Sequence, residues 1–319
     1  MKKFIYNIIF FSLLLILCAF FLDFLIENGL KETESRLYKS WNKILEGKVN
    51  ADIIILGNSR AYRQYNPKII SDIAGKSVWN LGMDAYSFNI QKMKFDVYRK
   101  FNTKPKLLII DVNYLFLSYT EIKHEREQFL PYLDNSSFKN FYIHKAFTRK
   151  ETYIPLIKYF GYRHEITIGL AEIFHLHHFN ENENNGYWEK PDQWNENEFD
   201  AMIKNHEKIQ MVNDEKVVSE FRNFIIESEA EGINVFLVWS PLNKEGLKVL
   251  INNKKDRYFF RQLADDLHIF LLDYSDDDIC YNRAYFSNVT HLNSKGAELF
   301  SFKLANDLNG LLKREPFIE

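Results

Sequence analysis

Ser59, His291 and Asn288 are the residues whose types and placement could together do chemistry. Ser59 stands just past a short apolar run, Asp52-Ile53-Ile54-Ile55-Leu56, on the turn Gly57-Asn58-Ser59. Acyl transfer by a serine requires a neighbouring base, a group that orients the base, and donors for the oxyanion. His291 is the candidate base, and Asn288 in Asn288-Val289-Thr290-His291 is the candidate orienting group. The N–H groups of Ser59 and Gly82 and the side chain of Asn113 fall at the ends of neighbouring strands, where they could form an oxyanion hole. On its own stretch Ser59 also reads as a helix N-cap, a common use of serine; the distant histidine is what turns attention to catalysis.

The elements that must position these residues alternate. Apolar strands are expected at Asp52–Gly57, Ser77–Gly82, Lys106–Asp111, Ile233–Trp239 and Ile269–Tyr274. Helices are expected after Asn66-Pro67, over Phe88–Phe101, through Glu198–Glu231, around Lys244–Asn252 and Arg257–Leu267, and over Ser294–Leu312. Short apolar strands alternating with helices predict a five-stranded parallel, doubly wound sheet in a three-layer α/β/α fold. Ligands of such sheets bind outside the carboxyl ends of the strands, where Ser59 lies. Residues 114–200 break the alternation and are read as an inserted helical subdomain or lid, with Asn180–Glu196 its least ordered part. A structureless loop of that length would be improbable in a compact domain.

Four short blocks resemble those of the SGNH (GDSL-type) hydrolases. Gly57-Asn58-Ser59 resembles their Gly-Asp-Ser block, and Gly82 in Asn80-Leu81-Gly82 their second-block glycine. Asn113 in Asp111-Val112-Asn113 resembles the third-block asparagine, and Asn288-Val289-Thr290-His291 the last-block Asp-x-x-His. The blocks occur in the family's order and span roughly Asp52 to Leu312. The resemblance is nearest to membrane-anchored bacterial members that work on cell-envelope polymers, such as relatives of the D-alanyl-lipoteichoic acid transfer protein and of polysaccharide O-acetyl transfer proteins. It implies ester hydrolysis or acyl transfer without a cofactor, on an envelope glycan or polysaccharide, with a multi-pass membrane protein as acyl-transfer partner. Asn58 replaces an acidic residue of the family and Asp111 a glycine. The weightier departure is Asn288, where the triad aspartate belongs. An asparagine can accept a hydrogen bond from the histidine but brings no charge to stabilise imidazolium. The same exchange in a serine protease costs about 10⁴ in kcat. A Ser59–His291 dyad, an acid from elsewhere, or a catalytically weak binding or assembly component of an envelope machine all follow from it.

Other candidates surround these. Arg60 and Tyr62, beside the serine, could bind an anionic or sugar substrate, or pack as the first turn of a helix. Asp276, Asp277 and Asp278 could supply the missing acid, or form a solvated turn. Trp188 and Trp194 could stack on sugar rings or simply pack. His175, His177 and His178 match no zinc spacing, and no metal site is expected. Gly75-Lys76-Ser77 resembles the tail of a phosphate-binding loop, but Ile70 stands where its first glycine belongs and the segment precedes a strand, so a nucleotide site is rejected.

The 41 basic and 43 acidic residues leave a net charge of −2, which offers no basic excess for nucleic acid. Phe4–Leu22 carries no charge and follows Lys2-Lys3. A stretch of this length can span a bilayer, and the lysines favour a cytoplasmic N-terminus with the remainder outside. The expected organisation is a membrane anchor at 1–27, a juxtamembrane helix at 28–50 and the α/β domain at 51–319. A cleaved signal peptide and a lipoprotein fit less well. No small-residue cleavage site is present, and Leu17 precedes Cys18 where a small residue is needed. Cys280 is the only other cysteine, so an exported domain has no internal disulfide.

Overall fold

The computed structural model describes all residues except 139–140, 178, 180–182, 206–208, 211–212, 249, 252 and 315–319. These residues form two compact units: Met1–Glu46 with Glu121–Glu181, and Gly47–Thr120 with Asn182–Glu319.

The second unit is built on five parallel strands: β1 (Ile53–Leu56), β2 (Val78–Asn80), β3 (Leu107–Asp111), β4 (Asn234–Trp239) and β5 (Phe270–Asp273). Their order is β2-β1-β3-β4-β5. The register aligns Ile53 with both Val78 and Leu107, Leu107 with Asn234, and Phe236 with Phe270. All residues of β1, β2 and β3 are buried, as a sheet covered on both faces requires. Side chains alternate between faces. Ile53, Ile55, Leu107, Ile109, Phe236 and Val238 share one core with Tyr65, Ile70, Phe300 and Leu304. Tyr65 follows the helix Ser59–Gln64 as its C-cap, Ile70 lies on the helix Pro67–Ala74, and Phe300 and Leu304 lie on the helix Ser294–Arg314. Among the helices of the other layer, Phe88 and Phe95 of Phe88–Phe101 pack on Phe224 of Glu215–Ala230. The strand order reverses between β1 and β3, so the ends of these two strands flank the crevice where doubly wound sheets bind ligands.

The chain between β3 and β4 divides. Residues Glu121–Glu181 group with the N-terminus, whereas Asn182 onward returns to the sheet unit. There Glu183–Asn184 and Tyr187–Trp188 form an antiparallel hairpin. Its turn, Asn185-Gly186, has φ of 48° and 81°. Both signs are positive, as a two-residue type I′ turn needs, and Asn-Gly is its preferred sequence. The hairpin docks beside β2, with the Asn80 N–H donating to the Asn185 carbonyl at 2.9 Å and Tyr187 buried in the core. The stretch expected to be least ordered therefore contains a specified turn. Glu196–Lys204 and Glu215–Ala230 are separate helices.

The first unit begins with α1 (Lys2–Glu32), one continuous helix, followed by α2 (Arg36–Leu45). The α1 helix is long and apolar enough to cross a membrane, and no part of its most apolar stretch is buried. Its C-terminal part docks on α3 (Arg163–Ile173), where Gly29 meets Gly169 backbone to backbone. A Cβ on Gly29 would lie 1.8 Å from the Gly169 carbonyl oxygen, so neither helix tolerates a side chain at the crossing. Lys158 Nζ sits between Glu27 at 2.5 Å and Asp23 at 3.2 Å. Trp41 of α2 donates to Gln128 Oε1 at 2.9 Å and packs against Phe129 and Phe138.

Candidate active site

Gly57 ends β1 with φ of 149°, a conformation L side chains avoid. A Cβ there would also lie 2.6 Å from that of Ala61, so glycine lets the helix Ser59–Gln64 start directly off the strand. Asn58 is its N-cap, accepting from the Arg60 N–H at 3.1 Å. Ser59 is thus the first helical residue rather than the cap.

His291 arrives from the segment after β5. Phe286 and Leu292 form an antiparallel bridge, and the Ser287 N–H donates to the His291 carbonyl at 3.0 Å. Asn293 then caps the last helix by accepting from the Gly296 N–H at 3.0 Å. This narrow loop brings His291 Nε2 to 2.7 Å from Ser59 Oγ.

Asn288 fixes which imidazole nitrogen holds the proton. Its Oδ1 accepts from the N–H groups of Thr290 at 3.1 Å and His291 at 3.0 Å, and from the Thr290 hydroxyl at 3.2 Å. Those donors identify the oxygen end of the amide. The same Oδ1 lies 3.0 Å from His291 Nδ1, which must therefore carry the hydrogen. Nε2 is left as the acceptor for the Ser59 hydroxyl, the tautomer a general base needs. What Asn288 lacks beside an aspartate is the charge. Burial pushes His291 down to about 3, helped by Arg63, Arg60 and Lys190 and opposed by Asp84. The imidazole is accordingly neutral at pH 7.

The expected oxyanion donors are placed around the switch point with differing engagements. Gly82 packs directly on the serine's helix, where a Cβ would be 2.6 Å from the Tyr62 nitrogen. Its N–H donates to Asn80 Oδ1 at 2.8 Å. Asn113 Oδ1 accepts from Asn58 Nδ2 at 3.1 Å and from the Leu115 N–H at 3.0 Å, which directs its Nδ2 toward Asp111 Oδ2 at a long 3.4 Å. The Asn58 and Asn113 side chains thus tie the ends of β1 and β3 together. An aspartate at 58 could not donate this bond.

Arg60 departs from the expected substrate contact. It is 2% exposed, and its guanidinium donates to the Ser240 carbonyl at 2.5 Å and hydroxyl at 2.6 Å. Asp111 Oδ2 lies 3.9 Å from its Nε, and the Tyr65 hydroxyl donates to Asp111 Oδ1 at 2.6 Å. The helical turn points residue 60 inward, so Arg60 anchors the serine's helix beneath the rim. Tyr62 is also buried and packs on Trp188, with ring centroids 5.7 Å apart. Trp188 in turn lies under the cations of Arg63 at 4.7 Å and Lys190 at 4.1 Å. Trp194 packs against Phe199 and donates to Glu196.

Asp276 pairs with Lys244 and with Arg257, and Asp277 with Lys303 at 2.5 Å. The carboxylate whose charge reaches His291 is Asp84, held by Arg63 at 2.5 Å. His175 is exposed, His177 packs edge-on to Phe179, and His178 lies outside the described residues. Gln64 was not singled out from sequence. Its Oε1 accepts from the Leu292 N–H at 3.2 Å and its Nε2 donates to Ser240 Oγ at 2.9 Å. It joins the serine's helix to the histidine's loop, and only its place at a helix end beside the serine hinted at this.

No protein-family model matches the chain, and no curated protein matches it. Solved structures similar to it include one named for a lipolytic protein of the G-D-S-L family from Desulfitobacterium hafniense, 13% identical over 80% of this chain and 98% of that one, with a TM-score of 0.36. Another, named for a platelet activating factor from Streptococcus pneumonia, is 12% identical over 88% and 94%, with a TM-score of 0.40. A third, named for an acylhydrolase from Bacteroides fragilis, is 12% identical over 81% and 87%, with a TM-score of 0.33. None is similar enough to assign a family.

Proposed function

We propose that this chain is a membrane-anchored serine esterase or O-acyltransferase acting on acyl groups, acetyl foremost, of a cell-envelope polysaccharide or similar glycan. The observation that carries the reading is the bond from Ser59 Oγ to His291 Nε2, with Nδ1 held by an oriented Asn288. In this mechanism Ser59 attacks the acyl carbonyl while His291 takes its proton. The oxyanion is met by the Ser59 N–H and the Asn113 amide, and by Gly82 once its N–H leaves Asn80. His291 then protonates the departing alkoxide, and water or a sugar hydroxyl attacks the acyl-serine with His291 again as base. No cofactor enters this scheme. The two N-terminal lysines support a cytoplasmic N-terminus with the site outside, beside the polymer or a multi-pass partner that delivers acyl groups.

The competing reading is a non-catalytic assembly component, and the uncharged Asn288 favours it. A fluorophosphonate serine probe separates the two on the full chain in detergent. Labelling of the parent that disappears in both Ser59→Ala and His291→Ala is the expected result. An unlabelled parent together with an unlabelled Asn288→Asp variant would replace the enzyme with the binding component.

A further inference from the structure

The unit containing α1 carries exposed apolar side chains where the helix leaves its own apolar stretch. Phe4–Leu22 is exposed almost throughout, and burial begins at Ile26. The segment around residue 156 rests on α1 between these points, its Leu156 N–H donating to Asp23 Oδ1 at 2.8 Å and Lys158 reaching Asp23 and Glu27. From this segment Tyr153, Ile157 and Phe160 face solvent, exposed by 74%, 42% and 89%. The α3 helix follows this segment, and its Gly169 meets Ile26 and Gly29.

This segment therefore places three large apolar side chains beside α1 just past its apolar stretch, with Arg149, Lys150 and Arg163 exposed near them in the chain. Aromatic and aliphatic side chains mixed with basic ones suit the headgroup region of a bilayer. Water offers this surface nothing. We propose that Tyr153, Ile157 and Phe160 form a collar that seats in the interface of the bilayer α1 crosses. The inference rests on α1 spanning that bilayer and is independent of the proposed chemistry.

The full chain, in a Cys18→Ser background, would carry an environment-sensitive fluorophore at Tyr153→Cys, Ile157→Cys or Phe160→Cys. The remaining Cys280 is buried, and burial pushes its thiol up to about 11, so it does not compete for label. Reconstitution into phosphatidylcholine–phosphatidylglycerol vesicles allows quenching by shallow doxyl lipid to be compared with quenching by iodide. Phe302→Cys, an exposed apolar position of the sheet unit, is the reference, and Leu13→Cys reports on the span. The expected lipid-to-iodide ratio at the three collar sites is at least threefold that at 302. Ratios equal to the reference overturn the collar. Shielding from both quenchers also overturns it, in favour of a protein neighbour such as a second copy. Failure of deep doxyl lipid to quench at Leu13 removes the span and the collar together.

Discussion

The loop holding His291 and the unit holding α1 both fix polar groups in confined surroundings, but with different bonds. Around Asn288 the donors come from Thr290 and His291, at most three residues away, and none is charged. In the unit holding α1, Lys158 meets Asp23 and Glu27 from more than a hundred residues away, through full charges. Local neutral bonds set a tautomer and need little from the rest of the fold. Distant ion pairs set the docking of whole segments and are costly to break once partly buried.

The largest effect expected from disturbing this contrast is at Asn288. Every donor around its Oδ1 would accept a carboxylate, so Asn288→Asp should retain the geometry and add the charge. Fluorophosphonate labelling or hydrolysis of an aryl acetate should rise by about 10² to 10⁴. The parent's depressed His291 keeps the base neutral, so its rate should stay level from pH 8 to below pH 5, whereas the aspartate should move the acid limb upward. A variant no faster than the parent would mean that charge is not what limits the site. The same depression has a sign for stability. The unfolded histidine binds a proton near its ordinary value while the folded one does not. Its contribution is therefore present above about pH 6.5 and is lost as pH falls toward 3.

The next effect is on stability. Lys158→Met would strand two carboxylates, although Glu27 retains Lys31 at 2.5 Å. A cost of about 3 kcal/mol is expected, read by denaturant unfolding in detergent and by faster proteolysis within 121–181. A loss below about 1 kcal/mol would erase the distinction between the two kinds of bond.

The smallest effect is at Asp276, which is mostly exposed and faces Lys244 and Arg257. Asp276→Asn should change stability by less than about 0.5 kcal/mol and leave serine labelling as it was. A tenfold loss of labelling would instead make Asp276 the acid that supports His291.

These regions also differ in how much the sequence discloses. The five strands and their parallel order follow from apolar runs and alternating helices, and Ser59 and His291 follow from where those runs end. Asn185-Gly186 carried a hairpin signal that the surrounding polar residues masked. The fate of Arg60 was hidden, because arginine is seldom buried and its partners Ser240 and Asp111 lie on other strands. The α1–α3 crossing depends on Gly29 and Gly169, two isolated glycines with no shared motif. Nor does composition reveal that residues 121–181 belong with the N-terminus, since the ion pairs that join them connect unremarkable charges.

The uninterrupted course of α1 has one more consequence. Ten residues, Asp23–Glu32, continue the helix past the apolar stretch without a hinge. At 1.5 Å per residue they rise about 15 Å. Were α1 to cross a bilayer, the segments docked on these turns would be held by a rigid bracket rather than a tether, at a depth that helical geometry sets.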